Sequence, residues 1–174
     1  MTDLSDVVAE HSAAVWRTAY RLLNDREDTL DCHQETFLAA QKLADQGSVQ
    51  CWRSVLVQIA TRRAIDRLRQ RYRRSQERGE SEPILQADAD ISPEAHARAA
   101  ELREHVRRAL SQLPEQQAEA FWLRHVEDLD VSEVAAQMSL EPGHVRVLVH
   151  RAAVALRLLL GPGYGANSRS EEQT

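Results

Sequence analysis

The sequence predicts an all-α protein built as two small helical domains joined by a flexible acidic linker. Three observations lead there. Ala, Leu, Arg, Glu and Gln dominate a chain of 174 residues in which aromatics make up only 5%, and these are residues that helices favour. Apolar residues recur at spacings of three and four, and no alternating run of β-branched residues is long enough for a strand. The stretch SQERGESEPILQADADISPE mixes Ser, Pro, Gly and acids without any helical period, the composition of a linker rather than of a packed element. The expected division is a first domain over 1–75, a linker over 76–95, a second domain over 96–161 and a tail over 162–174.

The elements follow in order. A first helix runs from about Ser5 to Leu23, with Val8, Val15, Ala19, Leu22 and Leu23 on one side, and Asn24 and Asp25 break it. A second runs from about Arg26 to Ala44, anchored by Leu30, Phe37 and Leu38. Asp45 to Ser48 forms a turn, with Ser48 as the N-cap of a long third helix from about Val49 to Arg74. Its first half carries Trp52, Val55, Leu56 and Ile59 as a buried stripe, and its second half turns arginine-rich while keeping Ile65 and Leu68. Beyond the linker, a helix from Pro93 or Glu94 to Gln112 ends at Leu113 and Pro114. Pro114 suits the first turn of the next helix, which runs to about Val126 and buries Ala118, Phe121 and Trp122. Asp130 can cap a helix starting at Val131, with Glu133 at capping-box spacing and Leu129 and Val134 as the accompanying apolar staple. That helix ends near Ser139. The last helix runs from Pro142 to about Leu160, where Gly161, Pro162 and Gly163 stop it, and the tail YGANSRSEEQT is expected to be disordered.

Charge is distributed unevenly. Net charge is −5, which by itself argues against a protein that grips bare nucleic acid. Yet between Arg62 and Arg78 eight arginines stand against Asp66 and Glu77, a local net of +6 that leaves −11 for the remainder. Within IATRRAIDRLRQRYRR, residues 59–74, Arg63, Arg67, Arg71 and Arg74 fall on one helical face with Arg62, Arg69 and Arg73 beside it. Tyr72 offers a ring for base stacking, or simply packs. So concentrated a positive stretch points to a polyanion, although most charge runs are solvated helix ends.

The second constellation is VAAQMSLEPGHVRVLVHRA, from Val134 to Ala152. A helix-turn-helix needs a small residue where its helices cross, which is Ala135. Four residues on, the turn needs left-handed backbone, and Ser139 takes that position at about 1 kcal/mol of strain. Ten residues after Ala135 an apolar residue must pin the second helix, and Val145 does so, with Val134, Met138, Leu140 and Leu148 completing a small core. If Val145, Leu148, Ala152 and Leu159 face inward, then His144, Arg146, Val147, His150 and Arg151 face outward at the end that enters a major groove. Arginine reads guanine bidentately and Val147 can touch a thymine methyl. Pro142 and Gly143 place the helix N-terminus where a phosphate binds well. A plain helical hairpin with a solvated basic face would also show helix–Pro–helix, but it would not need cap, small residue, turn and pin in register.

Other chemistry finds little support. Cys32 and Cys51 lack CxxC spacing and read as reduced core residues, and no cofactor or metal is expected. The seven histidines form no nucleophile, acid–base or ligand set, and there is no glycine-rich phosphate loop, so an enzyme is not expected. MTDLSDVVAEHS does not resemble a signal peptide, and no apolar run is long enough for a bilayer, so the expected location is the cytoplasm without membrane insertion.

The two modules in this order resemble a sigma factor of the sigma-70 family, in particular the short extracytoplasmic-function (ECF) type. The resemblance covers about Ser5 to Leu160. It implies that REDTLDCHQETFLAAQK docks on bacterial core RNA polymerase through Asp31, Gln34, Glu35 and Phe37. It implies that IATRRAIDRLRQRYRR melts and reads the −10 element of promoter DNA, through Arg62, Arg63, Arg67, Arg69, Arg71, Tyr72, Arg73 and Arg74. LSQLPEQQAEAFWLRHVEDLDVSEVAAQMSLEPGHVRVLVHRAAVAL looks like the −35-reading region, with LPEQQ, EVA and HRA as its telling sub-motifs, and Pro142 to Arg151 would carry the reading. Such proteins are often restrained by an anti-sigma factor, which is a further implied partner. The chain departs from the family pattern at Arg62, where Asn is common, and at Val55, where Trp is common. It departs again at His144 and Val147, where Thr and Ser are usual, and at Ser139, where Gly is usual. Most of these are reading positions, so the promoter sequence is not inherited from the family. Two other readings stay open: a helix-turn-helix regulator acting without polymerase, and a helical adaptor that touches only proteins.

Overall fold

The computed structural model describes residues 4–47, 49, 51–79 and 93–161. They form seven helices: α1 (Leu4–Leu23), α2 (Arg26–Gln46), α3 (Trp52–Arg78), α4 (Pro93–Gln112), α5 (Glu115–His125), α6 (Val131–Met138) and α7 (Pro142–Leu160). No strand occurs among the described residues.

The N-terminal unit is a three-helix bundle of α1, α2 and α3. Asn24 takes left-handed backbone at φ 47°, and the extended Asp25 then caps α2, its side chain accepting the Asp28 N–H at 2.8 Å. One apolar cluster joins Val7, Val15, Ala40, Leu56 and Ala60, with Phe37 and Trp52 packed on it. In the C-terminal unit α5, α6 and α7 pack around Ala120, Leu123, Val134, Ala135, Val145 and Leu148, while α4 contributes Ala109 and Leu110 to a separate cluster.

Several sequence expectations need correction. Val7 is buried rather than Val8, and Leu30, Leu38 and Leu159 stand 47%, 60% and 45% exposed instead of anchoring the core. Trp52, Val55 and Ile59 are half-buried, while Val57 and Ala60 take the buried positions beside Leu56. Cys32 is buried as expected, but Cys51 is exposed because it serves as the extended N-cap position of α3. That helix therefore starts at Trp52 rather than Val49, and the Ser48 expected as its cap lies outside the described residues. At its other end α3 continues through Arg78, because Gln76, Glu77 and Arg78 are good helix formers. Gly79 stops it in left-handed backbone at φ 64°, the conformation glycine adopts without strain. Pro114 is the N-cap of α5, with ψ at 140°, so the helix itself begins at Glu115. The linker expectation over 76–95 and the tail expectation over 162–174 fall mostly outside the described residues.

The two units do not stand apart. Ala19, Leu22, Leu23, Cys32, Ala64, Ile65, Leu68 and Tyr72 from the first share one apolar cluster with Ala109, Leu110, Leu113, Ala118, Trp122, Ala152 and Leu156 from the second. Val57 of α3 also enters the core of the second unit. The long helix α3 is thus the common wall of both bundles.

Candidate nucleic-acid interface

The helix-turn-helix is assembled by local hydrogen bonds. Asp130 accepts the Glu133 N–H and the Glu133 carboxylate accepts the Asp130 N–H, both at 2.8 Å, a complete capping box at the start of α6. Leu129 and Val134 belong to the same apolar cluster. Ser139 sits at φ 55° and ψ 44°, and the Leu140 N–H reaches back to the Ala135 carbonyl at 2.9 Å. This turn lets α7 cross α6 where Ala135 is small and buried. Pro142 opens α7 after an extended Glu141.

Packing then decides which side of α7 is outward. Val145, Leu148, Ala152 and Leu156 are buried. Gly143, His144, Arg146, Val147, His150 and Arg151 are exposed, and Pro142 is half-buried. Among the described residues, the side chains of His144, Arg146, His150 and Arg151 have no hydrogen-bond or ion-pair partner within the chain. Donors left to solvent at a helix N-terminal half suit base edges and phosphates.

The arginines of α3 are placed differently. Arg63 donates to Glu35 at 3.0 Å. Arg67 donates to Glu35 at 2.7 Å and lies 3.5 Å from both Asp28 and Asp31. Arg71 caps the end of α1 by donating to the Leu23 carbonyl at 2.9 Å, and also pairs with Asp28. Burial disfavours the Arg67 charge, but Glu35, Asp31 and Asp28 outweigh it and hold the guanidinium above its ordinary pKa. The face expected to present Arg63, Arg67 and Arg71 to a polyanion is therefore turned onto α2 and neutralised there. Spacing put these arginines on one face of α3, but their carboxylate partners come from a different helix. Arg62 pairs with Glu115 at 2.9 Å, and Asp66 beside it has its pKa raised by burial and by Glu115. Tyr72 is buried, its hydroxyl donating to Glu104 and its ring lying 6.0 Å from the Arg108 guanidinium, so it packs and does not offer a face for stacking. Arg73 and Arg74 are exposed and Arg69 is half-buried.

On α2, Asp31 and Glu35 belong to the clasp with Arg67, while Gln34 is exposed. Phe37 packs on the core and meets the His33 ring edge-on at 5.0 Å. The outward stripe is Leu30, Gln34 and Leu38, at i, i+4 and i+8. Sequence reasoning missed the two leucines as surface residues because it assigned them to the core. Their signal was there: they share a four-residue period with polar Gln34.

A sequence match to sigma-70 region 2 covers residues 7–74, and a match to sigma-70 region 4 covers residues 103–156. This chain belongs to the sigma-70 family. The first region ends within α3 and the second runs from α4 into α7. The sigma factor is 28% identical to the ECF RNA polymerase sigma factor SigE of Mycolicibacterium smegmatis, over 90% of its own length and 61% of that protein's. It is 26% identical to the ECF RNA polymerase sigma factor SigW of Bacillus subtilis, over 88% of its own length and 86% of that protein's. Both of these relatives are extracytoplasmic-function sigma factors. In fold it is similar to the sigma factor RpoE of Bartonella quintana, crystallised with the anti-sigma factor NepR. The TM-score is 0.56 at 20% identity, covering 92% of this chain and 98% of that one. It is also similar to the extracytoplasmic-function sigma factor SigJ of Mycobacterium tuberculosis, with a TM-score of 0.52 at 22% identity, covering 86% and 53%. No described helix of this sigma factor is long and apolar enough to cross a membrane.

Proposed function

We propose that this sigma factor binds bacterial core RNA polymerase and directs promoter-specific initiation, with α7 reading the −35 element and α3 engaging the −10 element. The observation that carries the reading is the outward set His144, Arg146, Val147, His150 and Arg151 on a capped helix-turn-helix, in a chain that also carries region 2. Both regions are needed because an acidic protein neutralises too few phosphates to hold promoter DNA alone. Polymerase supplies the rest and fixes the distance between the two readers. The docking surface on α2 is the exposed stripe Leu30, Gln34 and Leu38 with Asp31 at its edge. In this reading residues 1–75 and 96–161 are the functional units and 76–95 connects them. The protein works in the cytoplasm, where its polymerase is, and an anti-sigma factor is a natural partner.

Reconstituted transcription tests this. The purified chain, sigma-free core polymerase and a genomic promoter library should yield discrete start sites sharing a −35/−10 pair. Arg146→Ala should lower initiation from those promoters by about 5- to 150-fold, since a good base contact contributes about 1–3 kcal/mol of discrimination. Absence of core binding and of initiation would overturn the proposal, and tight binding of a free palindromic duplex would replace it with a polymerase-independent regulator.

A further inference from the structure

The C-terminal half of α7 carries an outward face that the helix-turn-helix core does not use. Four of the eight exposed large hydrophobics among the described residues are on this helix: Val147, Val154, Leu158 and Leu159. Clustering of this kind marks a contact surface, whereas single scattered residues would not. Val147, Arg151, Val154 and Leu158 fall within about 60° of one another at 100° per residue, on the side opposite the buried Val145, Ala152 and Leu156. Leu158 is 79% exposed. Leu159 turns toward α4, where it lines a cavity of ≈ 230 Å³ with Leu160, Ala109, His105, Arg108 and Gln112. That exceeds the roughly 150 Å³ of a cavity that holds a benzene ring, so one leucine or phenylalanine side chain fits. An apolar ridge thus runs beside a concave site with hydrogen-bonding groups around it.

Charge says what covers it. From Pro142 to Leu160 α7 contains no Asp or Glu, and Arg151 and Arg157 flank the ridge. No carboxylate among the described residues pairs with either arginine. We propose that the C-terminal half of α7 and the adjoining α4 cavity dock an acidic amphipathic helix of a partner protein. Val154 and Leu158 are one turn apart, about 6 Å along the axis, which matches the apolar repeat of such a helix. One of its apolar side chains enters the cavity, and its carboxylates pair with Arg151, Arg157 and Arg108. A bilayer is flat and would leave the cavity unfilled, and a nucleic-acid backbone offers the leucine ridge nothing apolar. A recognition helix enters a major groove by its N-terminal half, so partner and −35 duplex can be held at once. The docking surface stands whether or not that half of α7 reads DNA.

The test uses the full chain and a fluorescent synthetic peptide with leucines at spacings of three and four and glutamates beside them. Its controls are the same peptide with lysine for glutamate, and one with the leucines scrambled. By fluorescence anisotropy the acidic peptide should bind at least about tenfold more tightly than either control. Leu158→Asp should weaken it at least about tenfold, because a buried apolar contact is lost and a carboxylate then faces the peptide's own. Arg157→Glu should weaken the acidic peptide and strengthen the lysine one. Both positions are exposed, so the fold tolerates the changes. Arg17→Glu, the same charge reversal on exposed α1, should change nothing. Equal binding of acidic and basic peptides, or equal losses at Arg17 and Arg157, would mean unspecific attraction and overturn the proposal. So would no binding at all, or binding to anionic phosphatidylglycerol vesicles that Leu158→Asp abolishes. A mass by light scattering that doubles with concentration, and returns to one chain in Leu158→Asp, would give the face to a second copy and overturn it too. Transcription with core polymerase reports on −35 reading separately, so a failure there is not confused with a failure of docking.

Discussion

Replacing Arg67 with Met separates a structural role from a DNA-reading one. The substitution keeps the length and apolar character of the side chain while removing the guanidinium. Arg67 faces three carboxylates: Glu35 at 2.7 Å, and Asp28 and Asp31 at 3.5 Å. Its side chain is 22% exposed and those of its partners are 35–55% exposed, so solvent screens each pair. Pairs of this kind contribute about 0.2–1 kcal/mol each. The short bond to Glu35 belongs at the upper end and the two longer contacts below it, for a sum of about 1.5–2 kcal/mol. At about 2–4 °C per kcal/mol for a chain of this size, Arg67→Met should lower Tm by about 3–8 °C. The assay is thermal unfolding followed by circular dichroism at 0.1 and 1 M salt. The Debye length falls from about 10 to about 3 Å over that range, so the deficit should shrink at high salt. A Tm within 1 °C of wild type at both salts, together with loss of promoter-dependent initiation, would refute the clasp and return Arg67 to the DNA.

Three further outcomes are expected. Ser139 holds left-handed backbone at φ 55°. Glycine there relieves about 1–2 kcal/mol of steric cost but gives back about 0.5–1 through a freer unfolded chain. Ser139→Gly should therefore raise Tm by about 1–2 °C and Ser139→Val should lower it; equal Tm values for both would rule out strain at this turn. Burial raises the Glu119 pKa, and neighbouring Glu115 and Asp66 push the same way against the Gln58 hydrogen bond and Arg62. The folded state then holds this proton more tightly than the unfolded one, so stability is highest below the ordinary glutamate value and is lost as pH rises through the raised value. Glu119→Gln should be more stable than wild type at neutral pH, with the gap closing as pH falls; unfolding curves that stay parallel across pH would contradict this. The Cys32 thiol is buried and pushed up to about 11, mainly by desolvation, whereas exposed Cys51 is lowered by its hydrogen bonds with Ser54. Iodoacetamide followed by peptide mass analysis should label Cys51 long before Cys32, and comparable rates would mean that Cys32 is reached through an open form.

Local features were legible because they are written over short separations. The Asp130–Glu133 capping box, the left-handed Ser139, Pro142 at the start of α7 and the inward Val145 and Leu148 all involve residues within one or two turns of each other. The outward side chains of the recognition helix follow from the same periodicity. Errors arose where burial depends on a distant partner. Leu30 and Leu38 have the composition of core residues but no helix covers them, and Val57, outside the expected stripe of Trp52, Val55, Leu56 and Ile59, is buried because α5 and α6 pack on it.

The sequence by itself determined the helical class, the order of the two regions and the turn chemistry of the helix-turn-helix, because propensity, capping and apolar period act between near neighbours. Only the tertiary structure decided what the arginines of α3 do. Helical period says that Arg63, Arg67 and Arg71 share a face. It cannot say that Asp28, Asp31 and Glu35 lie opposite them, or that Glu115 reaches Arg62 across 53 positions of chain. Charge acts through space, so the same residues read as a free basic face in sequence and as a neutralised seam once folded.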